Sequence, residues 1–369
     1  MIVERWLSAA LAGKPVPWTS IRAERAGVLQ ACSALEVSEL LHYHLTRHES
    51  PGWPADVAEE LARRARTSAA RQLVRARETA DVLQALGSHG IRPVLFKGAA
   101  LSYLVYESAA LRPHTDTDLF IRRSEVEVVR RILTERGYTE PPMSAGELVL
   151  CQFQLVKIDR LGVEHVFDVH WKISTQSLFA DLLSYDEMND DAVPIDALGP
   201  NARGASGSHA LLLACIHPVM HHPNVERLIW LHDIHLLLRR LTAADLHGFA
   251  SLAVSKEVAG ICARQLALAS DCFDTPLPSG VLSTLSQSHL EASAVYLRAG
   301  RRWHHEVLWN IRALRRWRDR IRLLREVLFP APRYMVDLYH LGPSGVLLLP
   351  ALYLHRGAYG AFKILAGRK

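Results

Sequence analysis

A pair of aspartates placed directly before a short apolar run constrains this chain more than any other feature. Asp116 and Asp118 are separated by one residue and are followed by Leu-Phe-Ile. Side chains alternate between the two faces of a strand, so the two carboxylates share a face if this stretch is a strand. Neighbouring carboxylates repel and raise each other's pKa, and a bound divalent cation would remove that penalty. The pair therefore indicates either a metal site or the solvated edge of a sheet.

A third carboxylate, Asp168, stands in a run that is otherwise apolar and aromatic, Val-Phe-Asp-Val-His-Trp. On a strand, Asp168 and His170 share one face, and a charge among apolar neighbours is costly unless it is paired or coordinates an ion. Three carboxylates on adjacent strands form an oxygen site suited to Mg²⁺. Two such ions would suit a displacement at phosphorus, one at the attacking oxygen and one at the leaving pyrophosphate.

The residues before the aspartates indicate a phosphate-binding site. A short apolar run ends in Lys97 and Gly98 and passes into a predicted helix. Glycine lets the backbone approach a ligand closely, and the start of a helix favours phosphate. Lys97 would add a positive charge there. Arg112, four residues before Asp116, has the geometry to contact the same phosphates through two donors.

Periodicity divides the chain into four parts. Residues 1–87 form a helical region, 88–175 a small mixed α/β core, 176–205 a polar linker, and 206–369 a second helical domain. The predicted strands of the core are 94–96, 117–121, 152–158 and 163–171, the last two joined as a hairpin. In the first part, helices are predicted at 21–48 and 56–86.

Two stretches are rich in arginine. The helix predicted at 56–86 holds six arginines, which form either a solvated face or a basic wall beside an anionic substrate. Residues 298–325 hold ten arginines and several tryptophans. This second stretch suits an amphipathic helix docked on the fold, which we favour, or a surface for nucleic acid or anionic membrane.

Composition indicates a globular protein without a membrane span. The chain is 49% hydrophobic with a net charge of +5, and its five cysteines form no CxxC pair. Buried thiols in a reducing compartment are therefore expected, and with no signal-peptide pattern at the start we expect a cytoplasmic protein. The longest apolar run near the end, at 346–354, contains Pro350 and is far short of the roughly 20 residues that cross a bilayer.

Taken together, these motifs resemble the uncharacterised nucleotidyltransferase family of the polymerase-beta superfamily, from about residue 70 onward. The motifs that carry the resemblance are Phe96-Lys97-Gly98, the 112–119 segment, Phe167-Asp168-Val169-His170-Trp171, the 227–234 segment, Leu328-Phe329-Pro330 and Tyr334-Met335. The fold it implies is α+β, with a small mixed-sheet nucleotidyltransferase core flanked by N-terminal helices and a C-terminal helical domain.

The resemblance also implies an activity and a set of roles. The activity is metal-dependent transfer of a nucleoside monophosphate from an NTP such as ATP to an acceptor, with two Mg²⁺ ions. Asp116 and Asp118 match the two metal-binding carboxylates, and Asp168 matches a third that helps to activate the acceptor. Gly98 matches the glycine of a glycine–serine signature, although Ala99 stands where glycine or serine is usual.

The resemblance leaves the nucleotide-binding residues, the acceptor and the alternative functions to be stated. We place Lys97, Gly98, Arg112 and His170 at the nucleotide, with a packed structural histidine as the alternative for His170. The acceptor is a small molecule, a peptide or a protein. The alternatives are a toxin-like enzyme that modifies tRNA and a non-catalytic nucleotide-binding regulatory module. Peripheral membrane contact through the C-terminal tail is also considered.

Overall fold

The computed structural model describes residues 5–21, 24–141, 150–222, 227–286, 291–298 and 302–365. The described α-helices are α1 Arg5–Leu11, α2 Arg25–Ala34, α3 Ser38–Arg47, α4 Ala55–Ser88, α5 Lys97–Leu104, α6 Val126–Glu135, α7 Tyr185–Asp190, α8 Gly207–His221, α9 Leu228–Arg240, α10 Ala243–Ser255, α11 Ala259–Phe273, α12 Ser279–Ser286, α13 Trp303–Ala313, α14 Trp317–Leu328, α15 Pro332–Leu338 and α16 Leu349–Leu365. The strands are β1 Val94–Phe96, β2 Asp116–Phe120, β3 Gln152–Ile158, β4 Glu164–His170, β5 Val193–Pro194 and β6 Arg203–Gly204. The α+β fold class is confirmed, and all four strands predicted for the core are present.

One mixed sheet lies at the centre, with strand order β3-β4-β2-β1-β6-β5. The β3–β4 and β1–β2 pairs are antiparallel, whereas β2–β4 and β1–β6 are parallel. Asp118 on β2 lies opposite Asp168 on β4 and opposite Phe96 on β1. Gln154 on β3 lies opposite Asp168. Because paired residues of adjacent strands share a face, these four side chains form one row across the sheet.

The segment 176–205, which the sequence indicated as a linker, contributes to this sheet. It supplies α7 and the short strands β5 and β6, and β6 pairs in parallel with β1 through Gly204 and Leu95. Each of these strands is two residues long and pairs through its backbone, so it leaves no apolar alternation in the sequence. The first helical stretch also differs from the prediction, since residues 21–48 hold two helices, α2 and α3.

The two faces of the sheet belong to different cores. Leu95, Leu119 and Val169 point into a core shared with α4 and α6. Phe96 and Phe120 point the other way, into the larger core that contains α8 to α12. The alternation along β2 and β4 therefore places Asp118 and Asp168 on the face that meets the C-terminal helices.

The last part of the described chain is attached through α13. Gln176 accepts a hydrogen bond from the side-chain amide of Asn310 at 2.9 Å and donates one to Glu306 at 3.1 Å. Beyond α13, α14 packs mainly against α13, and α15 and α16 pack against each other. Docking of the arginine-rich stretch by its apolar face, which the sequence favoured, is not seen for α14, because Trp317 and Ile321 are exposed. Across the ranges described above, every helix is too short or too polar to cross a bilayer.

Candidate active site

A compact polar group lies on β2 and β4 where these strands meet the C-terminal helices. Asp118, Asp168 and His170 are buried, and one ligand atom from each lies within 4.8 Å of the others. Nε2 of His170 is 2.8 Å from Oδ1 of Asp118. The side-chain amide of Gln154 donates to Oδ1 of Asp168 at 2.9 Å. The parallel register of β2 and β4 produces this convergence, because it sets Asp118 directly beside Asp168.

Asp116, predicted as a metal ligand with Asp118 and Asp168, is not a member of this group. It stands at the first residue of β2, on the same face as Asp118 but one full strand repeat away, about 6.6 Å along the strand. It is only partly buried and lines a cleft in front of the group. His170, predicted at the nucleotide or as a packed histidine, lies beside the two carboxylates.

Lys97, predicted to bind phosphate, forms an ion pair with Asp118. Its Nζ is 2.6 Å from Oδ1 of Asp118 in a largely buried ion pair. Lys97 is the first residue of α5 and has a φ of 55°, a left-handed conformation that costs a non-glycine residue of order 1 kcal/mol. The junction between β1 and α5 thus holds a strained lysine whose ammonium lies on the acidic group. Such strain persists where the surrounding structure fixes it.

Burial sets the electrostatics of the group. It raises the pKa of Asp116, Asp118 and Asp168, and the charge of Asp118 raises the pKa of the other two further, while Lys97 opposes the rise at Asp118. Burial, followed by the charge of Lys97, lowers the pKa of His170 well below its usual value, so the imidazole is neutral at pH 7. Three carboxylates thus face one ammonium, so among the described residues two of them have no cation at ion-pair distance when all three are ionised.

The donor set fits a divalent cation. Two buried carboxylates with oxygens free for coordination, and a third at the mouth, are the ligands that Mg²⁺ prefers. The neutral imidazole adds a nitrogen, which transition metals accept more readily than Mg²⁺ does. The residues therefore fit one or two hard cations, held mainly by oxygen atoms.

Arg112, predicted to bind phosphate, has a structural partner from the C-terminal helices. Its Nε and Nη2 donate to both oxygens of Asp233 on α9, at 2.9 Å for the closest contacts. Tyr106 donates to the same carboxylate at 2.6 Å. The guanidinium also lies beside Gly98, where an added Cβ would meet Nη1 and Nη2 at 3.4 Å. Arg112 thus forms one wall next to Gly98 while it ties the core to α9.

A cleft of 690 Å³ opens in front of these residues. It is lined on one side by Lys97, Gly98, Asp116 and Asp118. On the other side α4 contributes four of its six arginines, namely Arg63, Arg64, Arg71 and Arg75. Of the two interpretations of these arginines left open by the sequence, the structure places the four beside the cleft. The cleft is therefore acidic at its floor and carries arginines along α4, of which Arg63 and Arg64 are paired with Glu60. Arginines on this wall suit an anionic ligand that carries metal ions.

Sequence reasoning missed two participants, Gln154 and Tyr106. Gln154 supports Asp168, and its signal was the polar alternation of Gln152 and Gln154 along β3. Tyr106 and Asp233 hold Arg112, and they lie 127 positions apart in the chain. Asp233 stands in an apolar helical stretch, Leu-Ile-Trp-Leu-His-Asp-Ile, which predicts either an anchor between the two halves or a place near the nucleotide, and its ion pair with Arg112 has the form of an anchor. No local pattern identifies Tyr106, because its role depends on where α9 packs.

A comparison with protein families identifies a match over most of the chain. A family model described as "Uncharacterised nucleotidyltransferase" covers residues 23–274. The matched region contains every side chain of the polar group, the α4 arginines and Asp233. It leaves out the described helices from α12 onward. Comparison with curated proteins gives no match.

Proposed function

The chain belongs to the uncharacterised nucleotidyltransferase family, and from this premise we propose that it moves a nucleoside monophosphate from an NTP to an acceptor with the help of Mg²⁺. The observation that supports the proposal best is the charge of the buried group. Asp116, Asp118 and Asp168 outnumber Lys97, although each of the three has its pKa raised by burial. A protein keeps such a costly arrangement where a cation bound with its substrate compensates the charge.

We assign the metal to Asp118 and Asp168, with Asp116 at the mouth of the cleft as the ligand of a second ion. A bound divalent cation would polarise the α-phosphate and stabilise charge on the leaving pyrophosphate. His170 donates its Nε2 hydrogen to Asp118 and so fixes the orientation of that carboxylate. Gln154 does the same for Asp168. Because both donors are neutral, they orient the carboxylates and leave the negative charge available to a cation.

The nucleotide is assigned to the junction of β1 and α5. Gly98 leaves the backbone of the first turn of α5 open, and the amides there favour phosphate oxygens. Lys97 supplies a positive charge that a triphosphate can share with Asp118. Arg112 lies against Gly98 but is held by Asp233, so it forms a fixed positive wall rather than a mobile clamp. Fixed charges of this kind stabilise developing charge without reorganisation.

The reaction is an in-line displacement at the α-phosphorus. An oxygen of the acceptor forms a bond to phosphorus, the bond from phosphorus to the bridging oxygen breaks, and pyrophosphate leaves. The proton of the acceptor hydroxyl passes to Asp168, the buried carboxylate whose raised pKa suits a general base. The α4 arginines on the opposite wall favour an acceptor, or a part of the NTP, that carries negative charge.

Transfer from α-labelled NTPs tests the proposal. The protein is incubated with each of the four labelled nucleotides, Mg²⁺ and a cell extract that is then separated into metabolites, protein and tRNA. Label is expected in one fraction, and the double variant Asp118→Ala/Asp168→Ala is expected to lose at least about a thousandfold in rate. The matched control Asp186→Ala removes a carboxylate that is 73% exposed and belongs neither to this group nor to the lining of the cleft, and it should keep full activity.

Three outcomes decide between the hypotheses. Label in the tRNA fraction would identify the tRNA-modifying alternative, which the basic wall of the cleft also suits. NTP binding without transfer to any fraction would contradict an enzyme and favour a regulatory module. Equal transfer by the native protein and the double variant would show that Asp118 and Asp168 do not carry the reaction.

A further inference from the structure

Large apolar side chains that face solvent are concentrated near the C-terminal end of the described chain. Of the seventeen such side chains in the described ranges, thirteen lie between residues 308 and 362. Scattered exposed apolar residues are normal on soluble proteins, whereas a concentration of them marks an interaction surface. Leu308 lies on α13, and the other twelve form a surface of α14 and the elements that follow it.

The apolar residues of α14 form a single stripe. Trp317, Ile321, Leu324 and Leu328 follow one another at spacings of four, three and four residues and are exposed by 66%, 57%, 44% and 47%. At about 100° per residue this spacing keeps the four side chains within an arc of about 60°. Leu323, on another face of the same helix, is buried. The helix therefore rests on the protein by one face and presents a second apolar face to solvent.

The elements after α14 extend the apolar surface. Phe329 and Leu338 are exposed, and so are Val346, Leu347 and Leu348 in a short 3-10 helix at Pro343–Leu348. Leu354, Tyr359 and Phe362 on α16 are exposed as well. This group of elements packs mainly within itself.

Arginines border the stripe. Residues 311–333 contain eight arginines and only two acidic residues, Asp319 and Glu326. At the helical repeat, Arg320 falls on one side of the stripe and Arg325 on the other, with Arg318 a little further round. An arginine beside an apolar face can lay its stem along that face and extend its charge outward. The pattern is that of a helix that lies in the interface of a bilayer, with apolar residues inward and cations at the headgroups.

We propose that α14 and the elements after it bind the surface of a bilayer that contains anionic lipid. An anionic membrane satisfies both parts of the surface, since its acyl region takes the apolar stripe and its phosphates take the arginines. A nucleic acid would pair with the arginines but leave Ile321, Leu324 and Leu328 in water. A second copy of this chain would bring two arginine-rich surfaces together, and their like charges repel.

This surface is separate from the proposed catalytic group. It lies outside the residues that match the family, and its elements pack away from the cleft between α4 and α5. Membrane binding is therefore independent of the proposed transfer. Its consequence is that the enzyme would act close to a membrane.

Vesicle sedimentation tests the proposal. The full-length protein is mixed with vesicles of phosphatidylcholine alone, or with vesicles in which about a third of the lipid is phosphatidylglycerol. The native protein is expected to sediment with the anionic vesicles, and less so as salt rises. The variant Ile321→Glu/Leu324→Glu should bind at least about tenfold more weakly, because it places two charges in the stripe. The matched control Leu161→Glu changes a side chain that is 75% exposed in the β3–β4 turn, and it should bind like the native protein.

Each other outcome overturns the proposal. Failure of the native protein to sediment with anionic vesicles would do so, and so would equal binding by Ile321→Glu/Leu324→Glu. Binding to tRNA that the same substitutions abolish, without binding to vesicles, would assign the surface to nucleic acid. A dimer seen by light scattering that the double variant converts to a monomer, again without vesicle binding, would assign it to a second copy. Both changes are at exposed positions, and circular dichroism would verify that each variant is folded.

Discussion

Replacement of Asp233 by alanine is expected to destabilise the folded protein by about 3–5 kcal/mol, the usual cost of leaving one member of a buried ion pair without the other. Arg112 is 7% exposed and Asp233 is 3% exposed. The substitution removes every contact from Nε and Nη2 to the carboxylate and leaves the guanidinium with the carbonyl of Pro113, at 3.1 Å. Tyr106 keeps a contact of its hydroxyl with Nδ1 of His232 at 3.2 Å, so the main cost falls on Arg112.

Urea denaturation followed by circular dichroism measures this cost, since the midpoint shifts with the free energy of unfolding when the slope is unchanged. Two further variants separate the causes. Asp186→Ala breaks an exposed pair with Arg122 and should cost less than about 1 kcal/mol. Arg112→Met/Asp233→Leu removes both charges and should recover most of the stability lost by Asp233→Ala, because no buried charge is left alone.

A loss below about 1 kcal/mol for Asp233→Ala would contradict this prediction, because the guanidinium would then have found water or another partner. A double variant as unstable as the single one would contradict it too, because the lost contacts rather than the unpaired charge would then dominate. In the native protein the same pair holds Arg112 beside Gly98. The folded double variant should therefore also bind NTP more weakly.

Three further predictions concern the group at the cleft and the junction of the two halves. Lys97→Met leaves Asp118 buried without its cation, although His170 still donates to it. In the presence of a chelator the variant should be about 3 kcal/mol less stable than the native protein, and added Mg²⁺ should stabilise the variant more; thermal unfolding measures both effects. Gly98→Ala places a Cβ 3.4 Å from the Arg112 guanidinium, which the fold accommodates; the affinity for NTP in titration calorimetry should fall about tenfold, or 1.4 kcal/mol, while stability is kept. Burial alone would raise the pKa of Glu187, but Lys256 and the backbone N–H of Ser184 outweigh it and lower the pKa from 4.5 to about 2. The ionised carboxylate of Glu187 therefore stabilises the fold above pH 4.5 by about 1 kcal/mol, the usual value of a capping contact, and this stabilisation is lost as the pH falls toward 2. Glu187→Gln should be less stable than the native protein at pH 7 and equally stable near pH 2.

Each of these has an outcome that would contradict it. An equal Mg²⁺-induced rise for Lys97→Met and the native protein would show that the ammonium does not compensate Asp118. Unchanged NTP affinity in Gly98→Ala would place the phosphates away from the first turn of α5. A constant difference between Glu187→Gln and the native protein from neutral to acidic pH would show that the charge of Glu187 is not the source of its contribution.

Local pattern in the sequence was sufficient for much of the framework. The strands predicted at 94–96 and 152–158 have those bounds in the structure, and those predicted at 117–121 and 163–171 differ by one residue at each end. The alternation of side chains placed Asp116 with Asp118, and Asp168 with His170, on common faces. The motifs indicated the family, which the match over residues 23–274 confirms. These features depend on neighbours within a few positions, so the sequence carries them directly.

Other features were decided only by the way distant elements pack. The segment 176–205 is part of the sheet because β6 pairs with β1. This pairing uses backbone groups, so no pattern of side chains in the sequence predicts it. Lys97 forms an ion pair with Asp118, and Arg112 forms one with Asp233, which is 121 positions away. The tertiary structure likewise set His170, and not Asp116, beside the two buried carboxylates. Spacing along a chain determines which side chains share a face, but the choice among possible charged partners follows from which elements are buried together, because only burial makes one pairing much more favourable than another.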